Sequence, residues 1–275
     1  MTTVKDLLRG KVPAEVLVRV PRSFDQVGSI AIVEVPKGLS RYQAKLAKAI
    51  LDVNPVIKTV VRKVGGHVGK FRVQKYRVLA GVKTTVTEHR ESGVGLCVDI
   101  AKVYFSPRLG HDRLRVAGLV KPGERVLVVG SGVGPYPLVI ARHSNAKQVV
   151  GVDANPAAHH LAVQNVQANK LDRRVVCVCG DAKRVVPLLG VFYRVLITAP
   201  QQSAGLLEVA LGALKPRGVL HYYTFAEAGT FDAAVDALKD AVRRNGRKAA
   251  AVSVIRCGQQ SPRVWRVCLD VKLRD

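Results

Sequence analysis

Residues 126–135 read VLVVGSGVGP, and they carry the clearest structural signal in the sequence. A short apolar run leads directly into Gly130, Gly132 and Gly134, a pattern that predicts a strand, a tight turn and the start of a helix. A plain structural turn is the alternative for the glycines alone. A second run, 149–152, ends about twenty residues later in Asp153, where a doubly wound sheet presents an acid to ribose hydroxyls. Together they predict a Rossmann-like domain with an adenosine cofactor.

On both sides of this stretch, short apolar runs alternate with helix-compatible segments, which indicates a parallel sheet covered by helices on both faces. The fold class is therefore α/β. We place this domain at residues 105–275 and a small basic α+β domain at 1–104. The predicted strands of the larger domain are 125–129, 148–152, 175–179, 194–197 and 218–223, with closing strands at 249–255 and 265–271 after a helix at 231–244.

The charge of the chain indicates a polyanionic partner. Its 44 Lys and Arg against 20 Asp and Glu give a net charge of +24 over 275 residues. Residues 1–90 hold 18 basic and 6 acidic residues and so carry +12 in one third of the length. Counterion release favours RNA or DNA for such a surface, with an anionic membrane or a merely solvated basic surface as alternatives.

The cysteines and the lengths of the apolar runs indicate the kind of protein and its environment. Five cysteines without a CxxC pair or neighbouring histidines predict reduced thiols and no metal site. The longest apolar runs are far below the roughly 20 residues that a membrane span needs. We expect a monomeric cytoplasmic protein without membrane association.

Three details favour S-adenosylmethionine over NAD as the cofactor. The glycine spacing is Gly-x-Gly-x-Gly-Pro, and the strand at 175–179 is followed by Asp181, which can accept from an adenine amino group or cap the next helix. The strand ending at 197 leads into Thr198, Ala199 and Pro200, where amino-methyltransferases place a polar group and a proline. A strand-ending turn is the alternative reading there.

Longer stretches carry a resemblance through most of the chain. They are PRSFD at 21–25, VGSIAIVEVP at 27–36, VDIAKVYFSPRL at 98–109, GVGP at 132–135, VDANP at 152–156 and LHYY at 220–223. In this order they resemble the archaeal and eukaryotic tRNA guanine-37 N1-methyltransferases. The resemblance implies methyl transfer from S-adenosylmethionine to N1 of the guanine 3′ of the anticodon, with tRNA as the partner.

The resemblance also implies roles for individual residues. It makes Asp112 the base that takes the N1 proton, and it associates Arg72 and Arg108 with the base pocket and the charge developing on O6. The residues implied at the cofactor are Tyr104, Gly130, Gly132, Gly134, Asp153, Ala154, Asp181, Thr198 and Pro200.

Each role has a structural alternative. Arg72, in what reads as an alternating strand face, and Arg108 both suit phosphate contacts, and Asp112 can simply pair with Arg115 at i, i+3. Asp112 replaces the family's usual Glu and is one methylene shorter, and Thr198 replaces an Asn, so altered activity is expected. The alternative functions are aminocarboxypropyl transfer in the wybutosine pathway and a non-catalytic RNA-binding or ribosome-assembly role.

Overall fold

The structure, a computed structural model, describes residues 2–21 and 23–274. Arg22, part of the first resembling stretch, lies outside the described residues. The chain divides into two units, Met1–Arg90 with Gly95–Pro107, and Glu91–Val94 with Arg108–Asp275. None of the described helices combines the length and apolar character needed to cross a membrane.

The first unit is built on a four-stranded sheet in the order β1-β2-β3-β4, with β2 and β3 parallel and the other pairs antiparallel. Leu46, Ala47 and Ile50 are buried on one face of α3, in a core shared with strand residues such as Ala31 and Val60. The elements of this unit are α1 (Val4–Leu8), α2 (Ala14–Leu17), β1 (Asp25–Val27), β2 (Ile30–Val33), α3 (Gln43–Val53), β3 (Thr59–Val68) and β4 (Val73–Gly81). They are followed by the hairpin β5 (Val86–Glu91) and β6 (Val94–Asp99), of which residues Glu91–Val94 are counted with the second unit.

The second unit is built on a seven-stranded sheet in the order β12-β13-β11-β10-β7-β8-β9, with β13 antiparallel to both neighbours and the other pairs parallel. The predicted fold class is confirmed. The strands are β7 (Arg125–Val129), β8 (Gln148–Asp153), β9 (Val175–Cys179), β10 (Phe192–Ile197), β11 (Leu214–Glu227), β12 (Ala249–Gln259) and β13 (Val264–Leu273). The helices are α4 (Gly110–Leu119), α5 (Pro135–His143), α6 (Pro156–Ala168), α7 (Ala182–Val185), α8 (Ser203–Gly212) and α9 (Phe231–Arg244).

Local chemistry explains how the sheet presents its carboxyl edge. The Val- and Leu-rich β7 is buried along residues 126–129, as expected for a strand covered on both faces. Gly134, with φ +89°, then turns the chain into α5, and Pro135 occupies the first helical position, where no N–H is needed. Since β7, β8, β9 and β10 are parallel, the segments that follow them meet at one edge of the sheet.

One sequence prediction about local structure is wrong. The alternation of side chains from residue 71 to 79 predicts a strand that includes Arg72, but β4 begins at Val73, and Arg72 lies in the preceding turn with φ +52°. Its backbone N–H donates to the carbonyl of Gly69. Turn geometry at 69–72 outweighed the alternation of the side chains, so the strand could not extend backward through Arg72.

Candidate active site

The glycine turn after β7 is closed by the carboxylate of Asp153. Gly130, Gly132 and Gly134 have φ values of +78°, +57° and +89°, which residues with a side chain rarely adopt. Asp153 Oδ2 accepts a 2.7 Å hydrogen bond from the Gly132 N–H, and Oδ1 accepts one of 2.9 Å from the Asn155 N–H. Burial raises the pKa of Asp153 more than these two donors lower it. Each oxygen has one backbone donor and keeps a lone pair for a hydroxyl of a ligand.

Thr198 joins the end of β10 to the same turn. Its hydroxyl donates to the carbonyl of Gly130 at 2.6 Å and lies 3.1 Å from that of Val129. A Cβ added at Gly130 would lie only 3.2 Å from Ala199 Cβ and 3.3 Å from Thr198 Oγ1, so the approach of the two segments depends on glycine. The half-buried Pro200 follows at the same edge, and the half-buried Ala154 follows Asp153.

Asp181 caps α7. Its side chain accepts a 3.0 Å hydrogen bond from the Lys183 N–H, and its carboxylate is exposed at the carboxyl end of β9. The capping interpretation from the sequence is therefore confirmed. Contact with an adenine amino group stays a prediction, and an exposed carboxylate has lone pairs left for it.

Asp112, on the first turn of α4, is 5% exposed and holds three hydrogen bonds. Its Oδ2 accepts from the hydroxyls of Tyr136 at 2.7 Å and Tyr223 at 2.6 Å. Its Oδ1 accepts from Arg115 Nε at 2.8 Å, so the pairing expected at i, i+3 is present. Burial by itself would raise the pKa of Asp112, but Tyr223, Tyr136 and Arg115 outweigh burial and lower it. The carboxylate is therefore ionised at neutral pH.

Arg266, on β13, connects Asp112 to the glycine turn. It is 7% exposed, its guanidinium carbon lies 5.2 Å from the centroid of the Tyr223 ring, and it donates a 2.8 Å hydrogen bond to the carbonyl of Thr198. Contacts therefore run without interruption from Asp112 through Tyr223, Arg266 and Thr198 to Gly130. The second unit thus places the predicted base in the same cluster as the cofactor turn.

Three further residues predicted from the sequence, Arg72, Tyr104 and Arg108, lie on more open surfaces. In the first unit, the guanidinium of Arg72 stands 5.8 Å from the centroid of the Tyr104 ring, and Tyr104 is 42% exposed. The positive φ of Arg72 is uncommon for a residue with a side chain, and such strain is often found at functional sites. Arg108 is exposed on a short 3₁₀ turn, Pro107–Leu109, directly before α4 in the second unit.

Sequence reasoning missed the residues that surround Asp112. Tyr136 follows the glycine turn, and Tyr223 ends a stretch that carried the resemblance, but neither was given a role. Arg266 was not singled out at all. A tyrosine or arginine inside an apolar run is the only local signal that these positions offered, and such residues are often part of a core.

One group of potential metal ligands comes together among the residues that the structure describes: His221, Cys268 and Asp270. The two ring nitrogens of His221 already contact Asp270 at 2.5 Å and Arg194 at 2.7 Å. A cation here would face the guanidinium of Arg194, and it would have to displace both contacts. The chemistry of this group therefore disfavours a metal.

The sheet order, with one antiparallel strand between β11 and β12, and the acid at the end of β8 define a Rossmann-like class I methyltransferase domain. The chain belongs to the TRM5/TYW2 methyltransferase family. The family model of the TRM5/TYW2 methyltransferase domain matches residues 87–250, and that of the TYW2 N-terminal domain matches residues 4–84. The resemblance stated from the sequence is confirmed.

Two curated relatives and one solved structure illustrate the similarity. The tRNA (guanine(37)-N(1))-methyltransferase Trm5b of Pyrococcus abyssi is 32% identical over 95% of this chain and 78% of its own length. The tRNA(Phe) (4-demethylwyosine(37)-C(7)) aminocarboxypropyltransferase of Pyrococcus horikoshii is 28% identical over 98% of this chain and 96% of its own. A solved complex of aTrm5 with tRNALeu matches with a TM-score of 0.85 at 28% identity, covering 99% of this chain and 78% of that one.

Proposed function

We propose that this chain transfers the methyl group of S-adenosylmethionine to N1 of guanine 37 in tRNA. The observation that carries the proposal is the ionised, buried carboxylate of Asp112 in a cluster shared with the glycine turn. N1 of neutral guanine bears a proton that must leave as the nitrogen attacks carbon, so the reaction needs a proton acceptor. The similarity to the N1-methyltransferase of Pyrococcus abyssi along 95% of the chain supports the same reaction.

The glycine turn and Asp153 fit the cofactor of this family. When bound, S-adenosylmethionine supplies an electrophilic methyl group on a sulfonium. We assign Asp153 to the ribose hydroxyls, because each of its oxygens keeps a lone pair beside a backbone whose glycines leave room for a ligand. Asp181 at the end of β9 would accept from the adenine amino group. Thr198 would hold the Pro200 segment against the turn through its hydroxyl bond to Gly130.

Asp112 and Arg108 carry the acceptor side of the proposal. The Asp112 carboxylate would take the proton that N1 gives up when the nitrogen accepts the methyl group. Positive side chains stabilise the charge that grows on O6, and we give this role to Arg108. The same role for Arg72, in the first unit, stays a prediction from the resemblance. The lowered pKa keeps Asp112 ready to accept a proton across the neutral range, although it also makes the carboxylate a weak base.

The basic first unit suits a tRNA partner. Residues 1–90 carry +12, and each phosphate that Lys or Arg neutralises releases counterions. The solved complex of aTrm5 with tRNALeu is a similar protein that binds tRNA. Binding by this chain should therefore weaken steeply as salt concentration rises.

The test is group transfer to matched tRNA transcripts that carry G or A at position 37. Methyl-labelled S-adenosylmethionine should give labelled 1-methylguanosine only in the G transcript. The variant Asp112→Asn should lose this product, and Asp240→Asn, a change of the same kind on the exposed face of α9, should keep it. Absence of label in both transcripts, with an active control enzyme on the same RNA, would contradict the proposal.

Aminocarboxypropyl transfer is the second candidate, and the comparisons give it a specific basis. The N-terminal model that matches residues 4–84 is that of TYW2, and the aminocarboxypropyltransferase of Pyrococcus horikoshii aligns over 96% of its length. S-adenosylmethionine labelled on its carboxyl carbon separates the two reactions, because aminocarboxypropyl transfer delivers that carbon to RNA and methyl transfer does not. The acceptor for this arm is tRNA that carries 4-demethylwyosine. RNA binding without either label would favour the non-catalytic alternative.

A further inference from the structure

A line of buried and half-buried polar side chains runs away from Asp112 across the second unit. Arg115 donates through Nε to Asp112 at 2.8 Å and through Nη1 to Asp270 at 2.6 Å. His221 Nδ1 lies 2.5 Å from the other oxygen of Asp270, and His221 Nε2 lies 2.7 Å from Arg194 Nη1. The five residues come from α4, β13, β11 and β10, so the line connects a helix to three neighbouring strands.

The contacts fix the protonation state of His221. A guanidinium can only donate, so Nε2 must be the acceptor from Arg194, and Nδ1 must carry the proton that is donated to Asp270. Burial lowers the pKa of His221 against the opposing effect of Asp270, which agrees with a neutral ring. The pKa of Asp270 is in turn lowered, because its bonds to His221 and Arg115 outweigh burial. Asp270 therefore stays charged and holds Arg115.

Arg194, at the far end of the line, is held by further hydrogen bonds. Arg194 is 3% exposed and donates to Glu124 through Nε at 2.8 Å and through Nη2 at 3.1 Å. The same Nη2 donates to the carbonyl of Leu119, the last residue of α4, at 2.7 Å. The sheet therefore holds α4 at two points, Arg115 and Leu119, which lie about one helical turn apart.

We propose that His221 and Asp270 are positioning residues, which hold the guanidinium of Arg115 and through it keep Asp112 oriented and ionised. This inference rests on the proposed function in giving Asp112 the proton-accepting role. Neither residue touches a reacting atom. Their effect on the reaction is carried entirely by the Arg115–Asp112 bond.

Positioning by Asp270 and the negative charge of Asp270 have opposite effects on the pKa of Asp112. Asp112 faces titratable groups on five elements: Arg115 on its own helix, Tyr136 on α5, Tyr223 on β11, Cys257 on β12 and Cys268 on β13. Asp270 is connected to it through Arg115. Removing the negative charge of Asp270 by itself would favour the ionised Asp112 and lower its pKa further. Releasing Arg115 from its tether would raise that pKa instead.

The experiment follows the Asp112 carboxyl directly, by carbon NMR of the full chain labelled on its aspartate carboxyls, with the signal assigned by its loss in Asp112→Asn. We expect Asp270→Asn and His221→Leu to raise the Asp112 pKa by about one unit or more. His221→Asn, which places an N–H close to the position of Nδ1, should restore the wild-type titration, and His221→Gln, which mimics Nε2 instead, should not. The exposed changes His160→Leu and Asp240→Asn serve as matched controls.

Single-turnover transfer to tRNA gives the second readout. In His221→Leu the acid limb of the rate should move to higher pH, so that the rate falls about tenfold at pH values below the Asp112 pKa of both proteins, with unchanged tRNA affinity. An unmoved or lowered Asp112 pKa in folded Asp270→Asn and His221→Gln would overturn the proposal. If the wild-type chain transfers no group at all, the NMR arm still decides the positioning inference, and only the proposed function fails.

Discussion

The second unit holds the buried carboxylate of Asp112 and the half-buried carboxylate of Asp153, and their surroundings differ in kind. Asp153 is bound by two backbone N–H groups of the turns around it, and burial raises its pKa. Asp112 is bound by two tyrosine hydroxyls and a guanidinium, which together lower its pKa against burial. Asp153 is thus part of a rigid local turn, and Asp112 is a point where side chains from separate elements converge.

The difference shows how each carboxylate can be disturbed. The donors of Asp153 belong to the main chain, so only proline, which also restrains the backbone, could remove one of them by substitution. Each donor of Asp112 is a side chain, so its charge can be adjusted in steps. Such tuning suits a proton acceptor, and fixed backbone geometry suits recognition of a ligand hydroxyl.

The largest effect is expected from Asp112→Ala. The variant leaves the Arg115 guanidinium and two buried tyrosine hydroxyls without their shared acceptor, and breaking a buried pair in this way costs about 3–5 kcal/mol. Urea unfolding at pH 7 should show a loss of this size in the free energy of unfolding. Asp240→Ala, whose side chain is exposed on α9, should stay within about 0.5 kcal/mol of the wild type. Equal losses in the two variants would show that Asp112 is not the central acceptor of its cluster.

Asp153→Asn tests the other carboxylate through ligand affinity. An amide can accept from one of the two backbone donors but turns its own NH₂ toward the other, and it loses the charge that strengthens a bond to a ribose hydroxyl. We expect binding of S-adenosylmethionine, measured by calorimetry, to weaken about tenfold to a hundredfold. Asp172→Asn, on an exposed loop between α6 and β9, is the control. Unchanged affinity in Asp153→Asn would remove Asp153 from the cofactor site.

The sequence predicts the surroundings of Asp153 better than those of Asp112. The glycine turn, Asp153 and the capping by Asp181 were accessible, because each depends on residues a few positions apart or on strand ends that parallel pairing brings together. The helix 231–244 was also accessible, since its apolar face repeats at helical spacing and matches α9.

The partners of Asp112 were accessible only in part. Arg115 lies three positions away on the same helix, and helical geometry alone predicts that pairing. Tyr136 lies 24 residues away, Tyr223 lies 111 away, and Asp270 reaches Arg115 across 155 residues. Periodicity within a segment does not say which side chains of separate segments meet, so this cluster required the three-dimensional structure. The catalytic roles of Arg72, Arg108 and Asp112 stay predictions.

Tyr223→Phe tests how the stability contribution of Asp112 depends on pH. A lowered pKa means that Asp112 stabilises the fold fully above its ordinary value of 3.8, and that this stabilisation is lost as pH falls through the folded-state pKa. Removing one hydroxyl donor raises that pKa, so the variant should lose about 1 kcal/mol at pH 7 and begin to lose stability at a higher pH on acidification.

Asp153 should behave in reverse. Its raised pKa favours folding below 3.8, and that contribution disappears as pH rises through the folded-state value. The stability difference between wild type and Asp153→Asn should therefore shrink from pH 4 to pH 7, and that of Asp112→Asn should stay constant over the same range. Urea unfolding at several pH values measures both. Parallel curves for the two variants would mean that the two carboxylates do not differ in the way the contacts indicate.

Asp181 offers the smallest and most selective test, because its backbone contact and its proposed ligand contact can be separated. Asn is as good a helix N-cap as Asp, whereas Ala removes the bond to the Lys183 N–H. Asp181→Ala should therefore cost about 1 kcal/mol in unfolding free energy, and Asp181→Asn almost nothing. If the carboxylate also accepts from an adenine amino group, both variants should weaken S-adenosylmethionine binding by about the same few-fold factor, because an adenine donor loses the charged acceptor in either case. Weakening confined to Asp181→Ala would instead assign Asp181 to capping alone, and the end of β9 would then act on the cofactor only through the shape of its backbone.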